Sequence, residues 1–145
     1  ESGALHAECM VTPEGVKMIE MAGRPGGGHI FGAIVESVSG VSMPQALTQI
    51  LLGEEIDPTA KHRRGACYKF FNAPEGVFQS IENLDYASRK EGIVDIGFTM
   101  AEGTVVRTMD HGANRPGYIV SEGINRAEAI SRAEAAFAAL KFNMQ

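Results

Sequence analysis

The stretch that most constrains this chain is Leu5 to His29, LHAECMVTPEGVKMIEMAGRPGGGH. It predicts a tight β-hairpin that carries two glutamates, then an arginine, then a run of glycines. Pro13-Glu14-Gly15 reads as a three-residue hairpin loop. Proline presets φ near about −65°, and glycine accepts the left-handed position that closes a bulge. That loop places Thr12 opposite Val16, Met10 opposite Met18, Glu8 opposite Glu20 and His6 opposite Ala22. Side chains alternate across a strand, so Glu8 and Glu20 share one face. The other face, with Ala7, Cys9, Val11, Ile19 and Met21, is expected to pack on a core.

Two carboxylates placed opposite each other on a sheet repel by roughly 0.2–1 kcal/mol. A cation between them removes that cost, and hard oxygen ligands favour Mg²⁺, which takes one or two carboxylates plus phosphates and waters. Arg24 follows Glu20 by four residues, and its planar fork suits phosphate oxygens. Gly26, Gly27 and Gly28 allow close backbone approach to a ligand where the next helix presents its N-terminus. These residues read together as a magnesium-phosphate site. An ordinary hairpin with solvent-facing glutamates, or a register slipped by one residue, fits the pattern as well.

At these residues the sequence resembles the C-terminal half of an ATP-grasp enzyme, the group containing biotin carboxylase, carbamoyl phosphate synthase, D-alanine–D-alanine ligase and the L-amino acid ligases. The family pattern has a glutamate on one strand, here in His6-Ala7-Glu8, and Glu-x-Asn-x-Arg on the next, here Glu20-Met21-Ala22-Gly23-Arg24. The resemblance implies that Glu8 and Glu20 are Mg²⁺ ligands, with Mn²⁺ as a substitute. It implies that Arg24 contacts the transferring phosphate, and that Gly26, Gly27, Gly28 and His29 border the nucleotide or acceptor. The stretch through Gly28 is most similar to the amino-acid-ligase and carbamoyl-phosphate-synthase-like branch. The sequence departs from the pattern at Ala22, where the usual asparagine is absent, which weakens a second metal site.

The implied fold is α+β: the C-terminal half of an ATP-grasp fold over 1–58, an antiparallel sheet with helices, followed by a small α+β domain over 59–145. The implied function is that of an ATP- and Mg²⁺-dependent ligase. It would phosphorylate a small carboxylate and let an amine displace the phosphate. A biotin-carboxylase-like carboxylase and a non-catalytic binding or assembly module are the rivals, and Ala22 favours the last. The lysine-bearing lid and adenine slot of such enzymes are not seen in the chain. It is therefore expected to be a piece of a longer polypeptide, inactive alone, whose N-terminal remainder is its first partner.

Composition fits this reading. The 145 residues carry a net charge of −5, which argues against nucleic acid, since phosphate binding needs a basic footprint. No apolar run approaches the roughly 18–20 residues of a membrane span, and the opening residues are not expected to act as a signal peptide. Cys9 and Cys67 lie far apart without metal-ligand spacing, so reduced thiols and a cytoplasmic setting are expected. A homo-oligomer stays open.

Along the rest of the chain, Ile30–Val38 predicts a helix stopped by Ser39-Gly40, and Ser42 is expected to cap a second helix from Met43 to Leu52. Lys61-His62-Arg63-Arg64 is a basic cluster. It reads as a solvated strand edge, with Arg63 and Arg64 as alternative anion contacts. Strands are expected at 65–72, 77–81, 92–98, 104–109 and 118–121, with the fourth pairing back on the third as a hairpin. A short helix is expected over 82–89. Asn125, with Glu128 three residues on, predicts the cap of a final helix whose apolar stripe is Ala127, Ile130, Ala133, Phe137 and Leu140.

Among looser candidates, His6 shares the Glu8 face, though a spacer role on the strand suits it better. His62 reads as solvent-facing. His111 beside Asp110 has a near-neutral side chain fit for a general base, but no third partner, and loop solvation is the simpler account. Cys67 in an apolar strand reads as a small packed residue rather than a nucleophile.

Overall fold

The computed structural model describes residues 3–107 and 115–145. The expectations at Met109, Asp110 and His111 lie outside the described residues. The chain divides into two compact units, 1–61 and 62–145.

The first unit opens with an antiparallel hairpin, β1 (His6–Thr12) and β2 (Gly15–Ala22). Its turn is one residue tighter than the sequence suggests. Thr12 pairs with Gly15, Val11 with Val16, Met10 with Lys17 and Cys9 with Met18. The Thr12 hydroxyl lies 2.9 Å from Gly15 O and 3.0 Å from Glu14 Oε2, which closes the turn on Pro13-Glu14. The extra residue is taken up further along, where the register shifts and Ile19 is left without a partner. Beyond that bulge Glu8 pairs with Glu20, Ala7 with Met21 and His6 with Ala22.

The hairpin does not pack its second face on a core. Ala7, Cys9, Val11, Ile19 and Met21 are all exposed, and so are Met10, Val16 and Met18 on the same two strands. The reason is architectural: β1 and β2 form a two-stranded sheet, and an isolated hairpin has no second layer to bury either face.

After Gly28 a π-helical turn, Ile30–Ile34, runs directly into α1 (Val35–Ser39), which ends on Gly40 at φ 73°. Glycine there accepts the left-handed cap position. α2 (Met43–Leu51) follows with Pro44 in its first turn, where a missing N–H costs nothing. Ser42 stands at its N-cap position in extended conformation, yet its hydroxyl makes no capping bond. Ser37 and Ala46 are the buried residues among those described in this unit, so its interior is thin.

The second unit holds the main core. β3 (Gly65–Phe71), β7 (Gly117–Gly123) and β5 (Ile93–Phe98) form an antiparallel sheet in the order β3-β7-β5. A smaller sheet runs β6-β4-β8, from β6 (Val105–Val106), β4 (Gly76–Glu82) and β8 (Lys141–Met144). Here β6 pairs with β4, not with β5 as a local hairpin. Phe78 N donates to Thr104 O and Gly103 N to Phe78 O, which carries the 101–104 turn onto β4. β8 was not anticipated. α3 (Leu84–Ser88) is shorter than expected.

α4 (Arg126–Phe137) packs on β7 and β3. Asn125 Oδ1 accepts from Glu128 N at 3.0 Å, and Glu128 Oε2 accepts from Ile124 N at 2.7 Å, a reciprocal N-terminal cap. The buried stripe is Ala129, Ala133 and Ala136, flanked by half-buried Ile130, Phe137 and Leu140, whereas Ala127 is exposed. The helix is rotated toward Ser121, whose buried hydroxyl donates to Ala129 O at 2.6 Å. Small side chains on that stripe let the helix lie close to the sheet. Phe71 centres the core, with ring centroids 5.6 Å from Phe137, 6.0 Å from Phe142 and 6.4 Å from Phe98.

Candidate nucleotide and metal site

Glu8 and Glu20 are direct cross-strand partners beyond the bulge, so their side chains leave the hairpin from the same face. His6 Nε2 lies 3.3 Å from Glu8 Oε1. On the other strand Arg24 Nη2 lies 4.0 Å from Glu20 Oε1, while its Nη1 donates to Pro25 O at 3.0 Å. Histidine, two carboxylates and a guanidinium therefore occupy one end of the hairpin. The carboxylates are open to solvent, 56% exposed at Glu8 and 60% at Glu20, whereas His6 is 17% exposed.

The first glycine of the run stands against His6. A Cβ on Gly26 would stand 2.9 Å from His6 Nδ1 and 3.3 Å from Ile30 Cγ2, so this glycine makes room for the imidazole. Gly27 faces open space, leaving its backbone free for close approach. Gly28 adopts φ 60° and leads to His29, whose carbonyl accepts from both Ala33 N and Ile34 N at 2.9 Å.

This donor set suits a hard cation held by two carboxylates and completed by phosphate and water. Among the described residues, no three His, Cys, Asp or Glu side chains form a cluster able to hold a metal ion. A closed protein cage of the kind that holds structural zinc is therefore not what these residues make. Exposed, paired carboxylates match Mg²⁺, which keeps several waters and takes the rest of its shell from substrate phosphates.

The remaining candidates stand apart from this cluster. Arg64 pairs with Glu122 at 3.7 Å, while His62 and Arg63 are exposed. Cys67 packs against the Phe71 core, and burial pushes its thiol pKa up despite the opposing charge of Lys69; a raised thiol pKa is the opposite of what a nucleophile needs. Tyr118 donates to Asp95 Oδ2 at 2.9 Å, and burial, with that hydrogen bond, raises its pKa.

The architecture is that of the C-terminal part of an ATP-grasp enzyme. The chain matches the family described as L-amino acid ligase C-terminal domain 2 over residues 69–145, and it belongs to that family. It superposes on the L-amino acid ligase from Bacillus licheniformis with a TM-score of 0.79 and 20% identity, covering 99% of this chain and 36% of that one. It superposes on phosphoribosylglycinamide synthetase from Anaerococcus prevotii with a TM-score of 0.81 and 14% identity, covering 99% and 37%. The biotin carboxylase domain of the Hydrogenobacter thermophilus 2-oxoglutarate carboxylase, solved with MgADP, ADP and bicarbonate, gives 0.66 at 17% identity, covering 97% and 32%. The chain thus spans about a third of the length of these structures. No curated protein matches the sequence. Among the described residues, no single helix is long and apolar enough to cross a membrane.

Proposed function

We propose that this chain is the C-terminal portion of an ATP- and Mg²⁺-dependent ligase that activates a small carboxylate as an acyl phosphate and joins it to an amine. The observation that carries the reading is the pairing of Glu8 with Glu20 across the hairpin, with Arg24 four residues beyond Glu20. Glu8 and Glu20 hold the metal. When bound, Mg²⁺ neutralises charge on the triphosphate and orients it for in-line transfer. Arg24 turns from Glu20 toward the transferring group, where a fixed guanidinium fork is worth most in a water-poor site. His6 fixes the Glu8 carboxylate through their contact. Backbone N–H groups near Gly27, with His29 behind them, border the phosphates and the acceptor.

The adenine pocket and the lid belong to the N-terminal remainder of the polypeptide, which is also the partner expected to cover the exposed faces of the hairpin. Ala22, beside His6 in the register, supports a second reading in which the fold serves binding or assembly without catalysis. Calorimetric titration of MgATP into the full-length protein separates the two. Glu20→Gln weakens binding sharply in the ligase reading, whereas equal binding by both proteins contradicts it.

A further inference from the structure

We propose that His6 is a positioning residue that couples the metal end of the hairpin to the glycine segment: it orients the Glu8 carboxylate and is itself seated by Gly26. The inference rests on the metal-phosphate reading of Glu8 and Glu20 and adds to it the requirement for glycine at residue 26. His6 pairs with Ala22 at the end of the hairpin away from its turn, and both are half-buried, whereas residues 7–11 and 16–21 are exposed. Gly26 stands against this end and is half-buried in turn, while Gly27 and Gly28 are exposed. Cross-strand partners share a face, and the short side chain of Ala22 leaves room for the imidazole beside it.

The two nitrogens of the ring face different neighbours. Nε2 lies 3.3 Å from Glu8 Oε1. An ionised carboxylate only accepts, so neutral His6 makes this bond with its proton on Nε2. Nδ1 lies on the Gly26 side, where an added Cβ would stand 2.9 Å from Nδ1 and 3.3 Å from Cε1. The ring is only 17% exposed, so it has little open space into which to yield. A methyl group at residue 26 therefore displaces the imidazole, and a bond already 3.3 Å long has little further to stretch before it is lost. Glu8 itself is 56% exposed, which leaves its carboxylate mobile unless a neighbour holds it, and His6 supplies that hold. Fixing a ligand's direction before the metal arrives raises affinity, as partners behind metal ligands commonly do. Gly26 and Gly27 thus differ in purpose: the first seats His6, while the second, with nothing within 4 Å of an added Cβ, stays clear for an incoming ligand.

The test is a double-mutant cycle on the full-length protein, reading Mn²⁺ affinity in the presence of ADP by electron paramagnetic resonance. His6→Ala and Gly26→Ala should each weaken Mn²⁺ binding by about tenfold. In the His6→Ala background Gly26→Ala should cost nothing further, because the ring it displaces is gone. His6→Gln, whose amide N–H reaches toward the place of Nε2, should recover much of what His6→Ala loses. Imidazole ¹⁵N shifts of the metal-free protein supply a second reading: His6 should be protonated on Nε2, and Gly26→Ala should shift its signals. Additive losses in the cycle, or a neutral imidazole protonated on Nδ1, would overturn the proposal. Glu20→Gln separates this failure from that of the metal reading. Affinity that falls with Glu20→Gln but not with Gly26→Ala would sink the coupling alone, whereas affinity indifferent to Glu20→Gln would sink the metal reading and the coupling with it.

Discussion

Glu20 stands opposite Glu8 because Ile19, one residue earlier, has no partner on β1. Without that bulge the pairing of Cys9 with Met18 would continue to Glu8 with Ile19, and Glu20 would fall opposite Ala7 on the other face. One unpaired residue thus brings two carboxylates together that the tight turn would otherwise have separated.

Juxtaposed carboxylates repel when no cation is present. Glu8→Gln should therefore stabilise the hairpin unit in metal-free buffer by roughly 0.2–1 kcal/mol. With Mg²⁺ and nucleotide present the sign should reverse, because the variant loses a ligand. Urea denaturation of the full-length protein, with and without MgADP, reads both signs.

Arg24→Lys keeps the charge and gives up the planar fork. Loss of turnover by about tenfold or more is expected, with little change in stability, since the Arg24–Glu20 contact is exposed and long. Steady-state ADP release, set beside the thermal midpoint, distinguishes this from unfolding.

The core of the second unit tolerates little change. Phe71 is 1% exposed and touches three other rings, so Phe71→Ala should cost about 3–5 kcal/mol. Gly65→Ala should also destabilise strongly, because its Cβ would meet the Asn125 carbonyl carbon, where β3 passes under the start of α4. Asn125→Ala should cost about 1 kcal/mol through the lost cap. Chemical denaturation ranks the three.

Acid should weaken the β4–β8 pairing through Glu82. Hydrogen bonds from Asn143 and Lys141, together with the Lys141 charge, hold the Glu82 carboxyl below its ordinary pKa. A depressed carboxylate pKa contributes stability that is fully present above the ordinary glutamate value and is lost as pH falls through the lowered one. Glu82→Gln should remove that part of the acid dependence and leave neutral-pH folding cooperative. Denaturation midpoints of the two proteins across the acid range should converge as pH drops.

The legible features were those whose signals are local. Asn125 and Glu128 announce α4 because a cap needs only neighbours, and Gly40 marks the end of α1 in the same way. The pairing of Glu8 with Glu20 was also legible, although by a different route. The expected three-residue loop and the observed two-residue turn with a bulge at Ile19 carry the same total offset, so the glutamates meet either way. Lost from view were relations between distant segments. β6 chooses β4 over adjacent β5, and Lys141–Met144 gains its strand only by pairing with β4. Ala129 replaces Ala127 on the buried stripe, since the rotation of α4 is set by its packing on β7 and on β3, a strand some sixty residues earlier, with the Ser121 hydroxyl donating to Ala129 O. The contact of the Arg115 guanidinium with the Phe70 ring was hidden in the same way, because the two lie far apart in the sequence.

The pairing of Glu8 with Glu20 is proposed to hold a divalent ion shared with a nucleotide. Substituting Mn²⁺ for Mg²⁺ in the ADP complex of the full-length protein tests it most directly, through paramagnetic broadening of assigned amide signals. Broadening centred on residues 6–8 and 20–24, abolished by Glu20→Gln in a folded variant, is the predicted result. Broadening centred elsewhere, or unchanged by that substitution, would contradict the account.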